Sequence, residues 1–536
     1  MTNTALDLHD IQGNVIKGYG RFGFPYARYV FYRVHQGDAG RQFLLNLLDL
    51  ITTGAPWNPK SSEEDETKIP QITTNIAFTF QGLKHLGVPT KSLNSFPEEF
   101  IMGMKDRINI LGDDEASAPE NWDPIWKNPV DILITINAQN KNALKERYQV
   151  ICDHKDRTKG GVEQLLGHQG ENQEYQAASA VFDENGNPTP KEHFGYTDGI
   201  SDPYFEGCIK TGISVIGGGK PTRLDPSTRA GWEPLGTGEF ILGHRDELQE
   251  YPIAPEPRLL SFNGTFMVYR KLHENVGSFN RYLEEKGKDL PGGKDMLAAK
   301  FAGRWKNGAP ITTFPTREEA DQFITTISET RAKRDAARAA NNKAAAKQAQ
   351  AELEELKKRL VAFDYNHDLD GAGCPFGAHV RRNNPRGYLE FVKDKAKEKP
   401  FNTPGALDNR RRIARRGLPY GEVKDPTKDD GEHGIIFMAL NTSIKRQFEF
   451  LQQQWINYGN DFKLSNDKDP LLGNHSTENG KPAGRTMIEA DPENGQDAPL
   501  FCSNLPRFVE TRGGDYFFVP SVTAIRMIGE GIIDPT

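Results

Sequence analysis

Positive charge is in deficit in this chain. Its 67 lysines and arginines stand against 74 aspartates and glutamates among 536 residues, a formal net charge of −7, whereas a phosphate backbone is bound by a basic excess, so no nucleic-acid partner is expected. Long apolar runs are missing too. No stretch approaches the roughly twenty apolar residues that a membrane-crossing helix needs. Cysteine is scarce: Cys152, Cys208, Cys374 and Cys502 lie far apart and form no Cys-x-x-Cys pair. That excludes a zinc knuckle and offers no disulfide framework, and free thiols in a reducing compartment are the expectation. Met1 to His9 lacks the basic region and apolar core of a secretory leader, and no twin-arginine pair precedes an apolar run, so a cytoplasmic location is expected.

Two glycine-rich stretches lack what a nucleotide site requires. Gly18-Tyr19-Gly20-Arg21-Phe22-Gly23 matches Gly-x-Gly-x-x-Gly, yet it precedes a strand-like run where the dinucleotide fingerprint follows a strand and opens a helix. Gly217-Gly218-Gly219-Lys220 is followed by Pro221, where a phosphate-binding loop has Ser or Thr.

The composition, 36% hydrophobic and 26% charged, is that of a globular protein, and the length favours two domains. Residues 26–35, 72–80, 131–137 and 174–182 read as strands, with helices at 41–51 and 141–152 and a further helix and connection at 102–113. This β-α-β, β-α-β order is the split pattern of a ferredoxin-like sandwich. A related plan recurs with strands at 239–243, 265–269, 434–440 and 516–520 and helices at 276–285 and 443–455. The expected fold class is α+β, two ferredoxin-like domains at 1–205 and 206–536. Residues 317–361, rich in Ala, Glu, Lys and Arg, predict a helical insertion, either a hairpin or one long exposed helix. Thr316 and Glu319 have capping-box spacing behind Pro315, and Asn341-Asn342 marks a candidate break.

The chemistry centres on Cys374-Pro375-Phe376-Gly377-Ala378-His379-Val380-Arg381-Arg382-Asn383-Asn384-Pro385-Arg386. His379 stands among small and apolar residues, and a neutral imidazole is a good iron ligand. Arginines follow it closely, and Arg381 is a candidate partner for carboxylates of a bound group. A lone histidine in such a place is equally a hydrogen-bonded core residue. Two other stretches bear on the choice: Gly195-Tyr196-Thr197-Asp198-Gly199-Ile200-Ser201, and Ile413-Ala414-Arg415-Arg416-Gly417-Leu418-Pro419-Tyr420-Gly421.

All three stretches resemble those of the dye-decolorising peroxidases. So do Asp10-Ile11-Gln12-Gly13-Asn14, residues 238–243, Arg446-Gln447-Phe448-Glu449-Phe450, and Arg512-Gly513-Gly514-Asp515-Tyr516-Phe517-Phe518. The resemblance covers most of the chain. It implies a haem peroxidase of two ferredoxin-like halves that reduces hydrogen peroxide and oxidises dyes and phenolic compounds, with one haem b per chain. No Cys-x-x-Cys-His motif is present, so the haem is expected to be non-covalent.

By the same resemblance His379 is the axial iron ligand, Asp198 the distal proton acceptor and Arg415 the distal cation. Asp469 is the candidate that receives the other ring nitrogen of His379, with Glu449 a weaker alternative. Gly195 and Gly199 would let backbone approach the porphyrin, Ile200 would lie beside it, and Ile435 and Phe437 would line the distal side. Each has a plainer reading: an Asp-Gly or Asp-Pro turn, a solvated basic run including Arg416, core strand residues. His367 reads as a surface histidine. Bulky reductants would pass electrons through oxidisable aromatics, for which Tyr420 and Trp455 are candidates and equally packing residues. A haem-handling protein without turnover is the alternative function. It needs only the proximal ligand, whereas Asp198 and Arg415 are both present.

Overall fold

Ten strands, all paired antiparallel, make a single sheet in the computed structural model, which describes residues 6–57, 69–170, 172–208, 215–222, 231–365, 368–386, 389 and 406–534. In the first half, β1 (Tyr26–Val34) forms where aromatic and β-branched residues succeed one another. It leads to α1 (Gly37–Leu47), β2 (Ile72–Phe78) and a wholly buried β3 (Ile132–Ala138). The Asn140 side chain accepts the Ala143 N–H at 2.9 Å and so starts α2 (Lys141–Asp156). β4 (Val162–Gln164) and β5 (Gln176–Ser179) both pair with β1. The row is β2-β3-β1-β4.

The second half repeats this row with different residues. It comprises β6 (Thr265–Glu274), α3 (Val276–Lys286), β7 (Ala414–Arg415), β8 (Leu418–Tyr420), β9 (Gly434–Asn441) and β10 (Val509–Val519). Its order is β7-β9-β6-β10, with β8 also on β9. Both rows run second, third, first, fourth, the antiparallel ferredoxin-like plan.

The rows meet edge to edge where Phe518 of β10 pairs with Phe78 of β2. Buried Gln12 fastens this seam. Its Nε2 donates to the carbonyls of Ile76 (2.8 Å) and Pro520 (2.9 Å), and its Oε1 accepts the Ile76 N–H (2.9 Å). Phe96, Phe266 and Phe518 pack there with ring centres 5.4 to 6.4 Å apart.

Three expectations are corrected. Residues 239–243 are not a strand: Thr237–Glu239 is a 3-10 turn, and Phe240, Ile241 and Leu242 are buried beyond it. The helix expected at 102–113 is divided into a 3-10 turn, Met104–Arg107, and a short helix, Ile108–Leu111. Residues 443–455 are helical but wound as π-helix over Lys445–Glu449 and Leu451–Ile456.

The insertion is a hairpin, α4 (Arg317–Ala339) and α5 (Lys343–Arg359). Its capping box at Thr316 and Glu319 is complete. Asn341 turns the chain at φ +53°, and Asn342 caps α5 through the Ala345 N–H (3.1 Å). The Gly18–Gly23 run holds a 3-10 turn, Tyr19–Phe22, that leads into β1. Among the described residues no helix is long and apolar enough to cross a membrane.

Candidate functional site

His379 begins a short helix, His379–Asn383, at the end of a tightly fastened loop. Asp368 accepts the N–H groups of Gly373 (2.9 Å) and Cys374 (2.8 Å), and its Oδ2 pairs with Arg381 at 2.8 Å. Arg381 also donates to the Cys374 carbonyl (2.5 Å) and lies over the Tyr365 and Phe376 rings. Its guanidinium is fully buried and its Nη atoms are engaged by Asp368 and the Cys374 carbonyl, so in this structure Arg381 fastens the loop. Arg382, also fully buried, ties together the carbonyls of Gly377 (3.0 Å), Trp455 (2.8 Å) and Asp467 (2.9 Å).

With its loop anchored, His379 presents a fixed ring. Nδ1 lies 2.9 Å from Oδ2 of the fully buried Asp469. The other carboxylate oxygen accepts the N–H groups of Leu471 (2.8 Å) and Leu472 (2.9 Å). Burial alone would push the Asp469 carboxyl up, but His379, Arg382 and the Leu472 amide outweigh it and hold it below its usual value. An anionic Asp469 fixes the Nδ1–H tautomer and leaves Nε2 as the ligating nitrogen. Among the described residues no group of three or more His, Cys, Asp or Glu is placed to hold a metal ion. One histidine backed by a carboxylate does not hold a bare metal ion, but it suits iron already held by a macrocycle.

Glu449 is elsewhere. It grips Arg107 through two bonds (2.5 and 2.6 Å) and accepts the Tyr516 hydroxyl (3.0 Å), so it is not the partner of His379. Glu449→Ala, which strands a buried guanidinium, is expected to cost about 3–5 kcal/mol of stability. Denaturant titration measures that loss, and the environment of His379 should be unchanged in its NMR signals.

Asp198 and Arg415 come together across 217 residues of chain. Arg415 Nη1 donates to Asp198 Oδ1 at 2.6 Å, and the same oxygen accepts the Gly199 N–H at 2.6 Å. Both side chains remain about half exposed, 46% and 44%. Gly195 and Gly199 lie at φ +93° and +74°, a conformation L side chains rarely adopt, and this backbone demand explains both glycines. Ile200 packs on Gly308, where an added Cβ would meet its Cδ1 at 2.8 Å. Arg415 sits opposite Ala439 in the β7–β9 pair, which places it on the face of β9 that carries Ile435 and Phe437, both half-buried. Arg416 is not a surface residue. It is buried, pairs with Asp202 at 2.9 Å and donates to the Val15 carbonyl at 2.9 Å.

Three arginines not singled out in sequence cluster beside the stretch that carries Asp198. Arg304, Arg386 and Arg412 are buried, and among the described residues none has a carboxylate partner. Burial, joined at Arg304 and Arg412 by the charge of Arg386, pulls Arg304, Arg386 and Arg412 down to about 9, 10 and 10. Among the described residues Arg386 Nε has no hydrogen-bond partner, while Nη2 reaches Ser201 Oγ at 3.4 Å. Backbone carbonyls hold all three, but carbonyls do not neutralise charge, and such a buried cluster favours an anion beside it. Arg386 follows His379 by seven residues and Ser201 follows Asp198 by three, so this contact joins the histidine stretch to the aspartate stretch. In sequence alone nothing distinguishes Arg386 from Arg381.

Tyr420 and Trp455 are both almost fully buried. Among the described residues the Tyr420 hydroxyl has no partner, and Trp455 Nε1 donates to Asp461 at 2.9 Å. Neither can meet a bulky reductant directly. His367 lies outside the described residues.

A family model, the DyP dimeric alpha+beta barrel domain, matches residues 10–171. The dye-decolorizing peroxidase msp1 of Mycetinis scorodonius is 26% identical, covering 98% of this chain and 88% of its own. The dye-decolorizing peroxidase of Mycena epipterygia is 28% identical over 98% of this chain and 87% of its own. An ancestral D-type dye-decolorizing peroxidase of known structure matches with a TM-score of 0.71 at 25% identity, over 98% of this chain and 99% of that chain.

Proposed function

The chain belongs to the dye-decolorising peroxidase family, whose members are haem enzymes, and from that premise we propose that it binds one haem b without a covalent link and uses hydrogen peroxide to oxidise dyes and phenols. One observation carries this reading. The three chemical stretches converge through the Arg415–Asp198 pair (2.6 Å) and the Arg386–Ser201 contact (3.4 Å), around arginines that lack a carboxylate.

In this reading His379 Nε2 ligates the iron, and Asp469 accepts its Nδ1–H and makes the ring a stronger donor. Arg386, with Arg304 and Arg412 beside it, pairs with the two propionates. The division at 205/206 sets Asp198 and Ser201 in one part and His379, Asp469, Arg304, Arg386, Arg412 and Arg415 in the other. When bound, the haem would supply redox chemistry toward peroxide and toward one-electron donors.

The protein's own groups manage protons and charge. Asp198 accepts a proton from the bound peroxide and returns it to the departing oxygen, which leaves as water. Arg415 stabilises the negative charge that develops as the O–O bond breaks. Ile435 and Phe437 keep the distal side apolar and admit small molecules, so larger reductants are oxidised at the protein surface or the haem edge, with Tyr420 and Trp455 as internal relays at most. A haem carrier would have no use for a paired Asp198 and Arg415.

Titration of the purified chain with haem tests the reading, with haem dimethyl ester as control. Haem should bind stoichiometrically. The ester, whose propionates carry no charge, should bind about 10- to 100-fold more weakly, as loss of one or two charge-assisted bonds implies. Equal affinity for the two would remove the arginine cluster from the site.

A further inference from the structure

Beneath the loop that carries Asp198 lies a pair of buried acids that the chemistry above does not use. Glu192 opens the loop, Glu274 ends β6, and both are buried with their carboxyl groups within hydrogen-bonding reach of each other. Glu192 Oε2 accepts the Phe194 N–H (2.7 Å), and its Oε1 accepts the Tyr196 N–H (2.6 Å). Glu274 Oε2 accepts the His193 N–H at 3.2 Å. Three amides of the segment entering Asp198 therefore hang on these two carboxyl groups. Among the described residues neither acid has a lysine or arginine in an ion pair.

Positive charge nearby does not offset this burial. Asp198 adds negative charge to both acids. Lys306, whose carbonyl accepts the Thr197 N–H at 3.0 Å, faces Glu192 but among the described residues makes no ion pair with it, and burial lowers it. His193, His273 and His433, packed about Glu274, are all held below the usual imidazole value by burial, His193 at about 4. Tyr196 and Tyr420 complete the shell and are pushed up by burial. Two bare carboxylates in contact in such a place repel. Burial accordingly pushes Glu192 up to about 7 and Glu274 well above its usual value.

We infer that Glu192 and Glu274 share one proton, that this proton holds the loop in the conformation that presents Asp198, and that its loss sets an alkaline limit on the peroxide step. The inference rests on the reading of Asp198 as proton acceptor. Both glutamates are positioning residues. In a fully protonated chain the pair contributes no pH dependence. As pH rises past the ordinary carboxylate value the unfolded chain ionises first, so native stability falls until the folded pair ionises too.

The full-length protein carries the test. In Glu274→Gln the amide nitrogen can donate to Glu192 and the amide oxygen can accept the His193 N–H, but the side chain does not titrate. Hydrogen exchange across residues 192–198, which needs no haem, should quicken in the wild type by about tenfold beyond the intrinsic rate as pH rises above neutrality. In Glu274→Gln it should stay flat. In haem-loaded protein, the Soret change on mixing with peroxide should slow at alkaline pH in the wild type and lack that limb in Glu274→Gln. An equal alkaline limb in both proteins, or a flat wild-type exchange profile, overturns the inference. The wild-type profile decides even if the variant does not fold. The expected exchange difference without any reaction with peroxide would overturn the peroxidase reading and leave the shared proton standing.

Discussion

A chain in which His379 is replaced by alanine is expected to lose its hold on haem, with affinity falling by at least about a hundredfold, or roughly 2.7 kcal/mol. The loss should be confined to the cofactor. Asp469 keeps its amide bonds from Leu471 and Leu472 and remains near Arg382, so far-ultraviolet circular dichroism and the melting temperature of the haem-free protein should change little. The arginine cluster is untouched, and weak binding should persist. Added imidazole, small enough for the space left by the side chain, should restore the wild-type ferric spectrum. Full occupancy with that spectrum in the absence of imidazole would mean that another histidine is the ligand.

Loss of Arg415 should have the second large effect, on rate and not on binding. Removing one preorganised donor from a site of developing charge costs about a hundred- to a thousandfold, about 2.7 to 4 kcal/mol at 1.36 kcal/mol per factor of ten. Arg415→Leu should therefore bind haem as the wild type does and react with peroxide at least about a hundredfold more slowly in stopped-flow mixing. Asp198→Asn should also slow this step, because an amide cannot take the proton, and it should lose the acid limb of the rate profile. An unchanged rate in Arg415→Leu, or an unchanged acid limb in Asp198→Asn, would remove that residue from the chemistry. Both partners of the 2.6 Å pair are required in this account, so the double variant should be little slower than the worse single one.

Much of the sheet is legible in the amino-acid sequence, because strands such as β3 and β9 are apolar runs bounded by turn residues, and the two rows share one order of elements. Residues 239–243 mislead for a physical reason. Phe240, Ile241 and Leu242 are all buried, and burial of every side chain erases the alternation that separates a strand from a turn. The pairing of His379 with Asp469 is legible only through family resemblance, since 90 residues separate them. The roles of arginines are not legible at all. Arg381, Arg382, Arg386, Arg415 and Arg416 are the same residue type in two short runs, and only the placement of Asp368, Asp202 and Asp198 reveals which guanidinium is already engaged. Glu192 and Glu274 are likewise ordinary acids in the sequence, and only the fold brings the end of β6 beside the loop.

The central claim is that His379, Asp198 and Arg415 together make a haem peroxidase. One stopped-flow experiment tests it most directly: haem-loaded wild type is mixed with one equivalent of hydrogen peroxide and the Soret band is followed, first alone and then after addition of a phenolic one-electron donor. The account predicts a rapid change of the band and, with the donor, recovery of the resting spectrum after two electrons per peroxide. A band that stays unchanged, or that only bleaches without recovery, would contradict it.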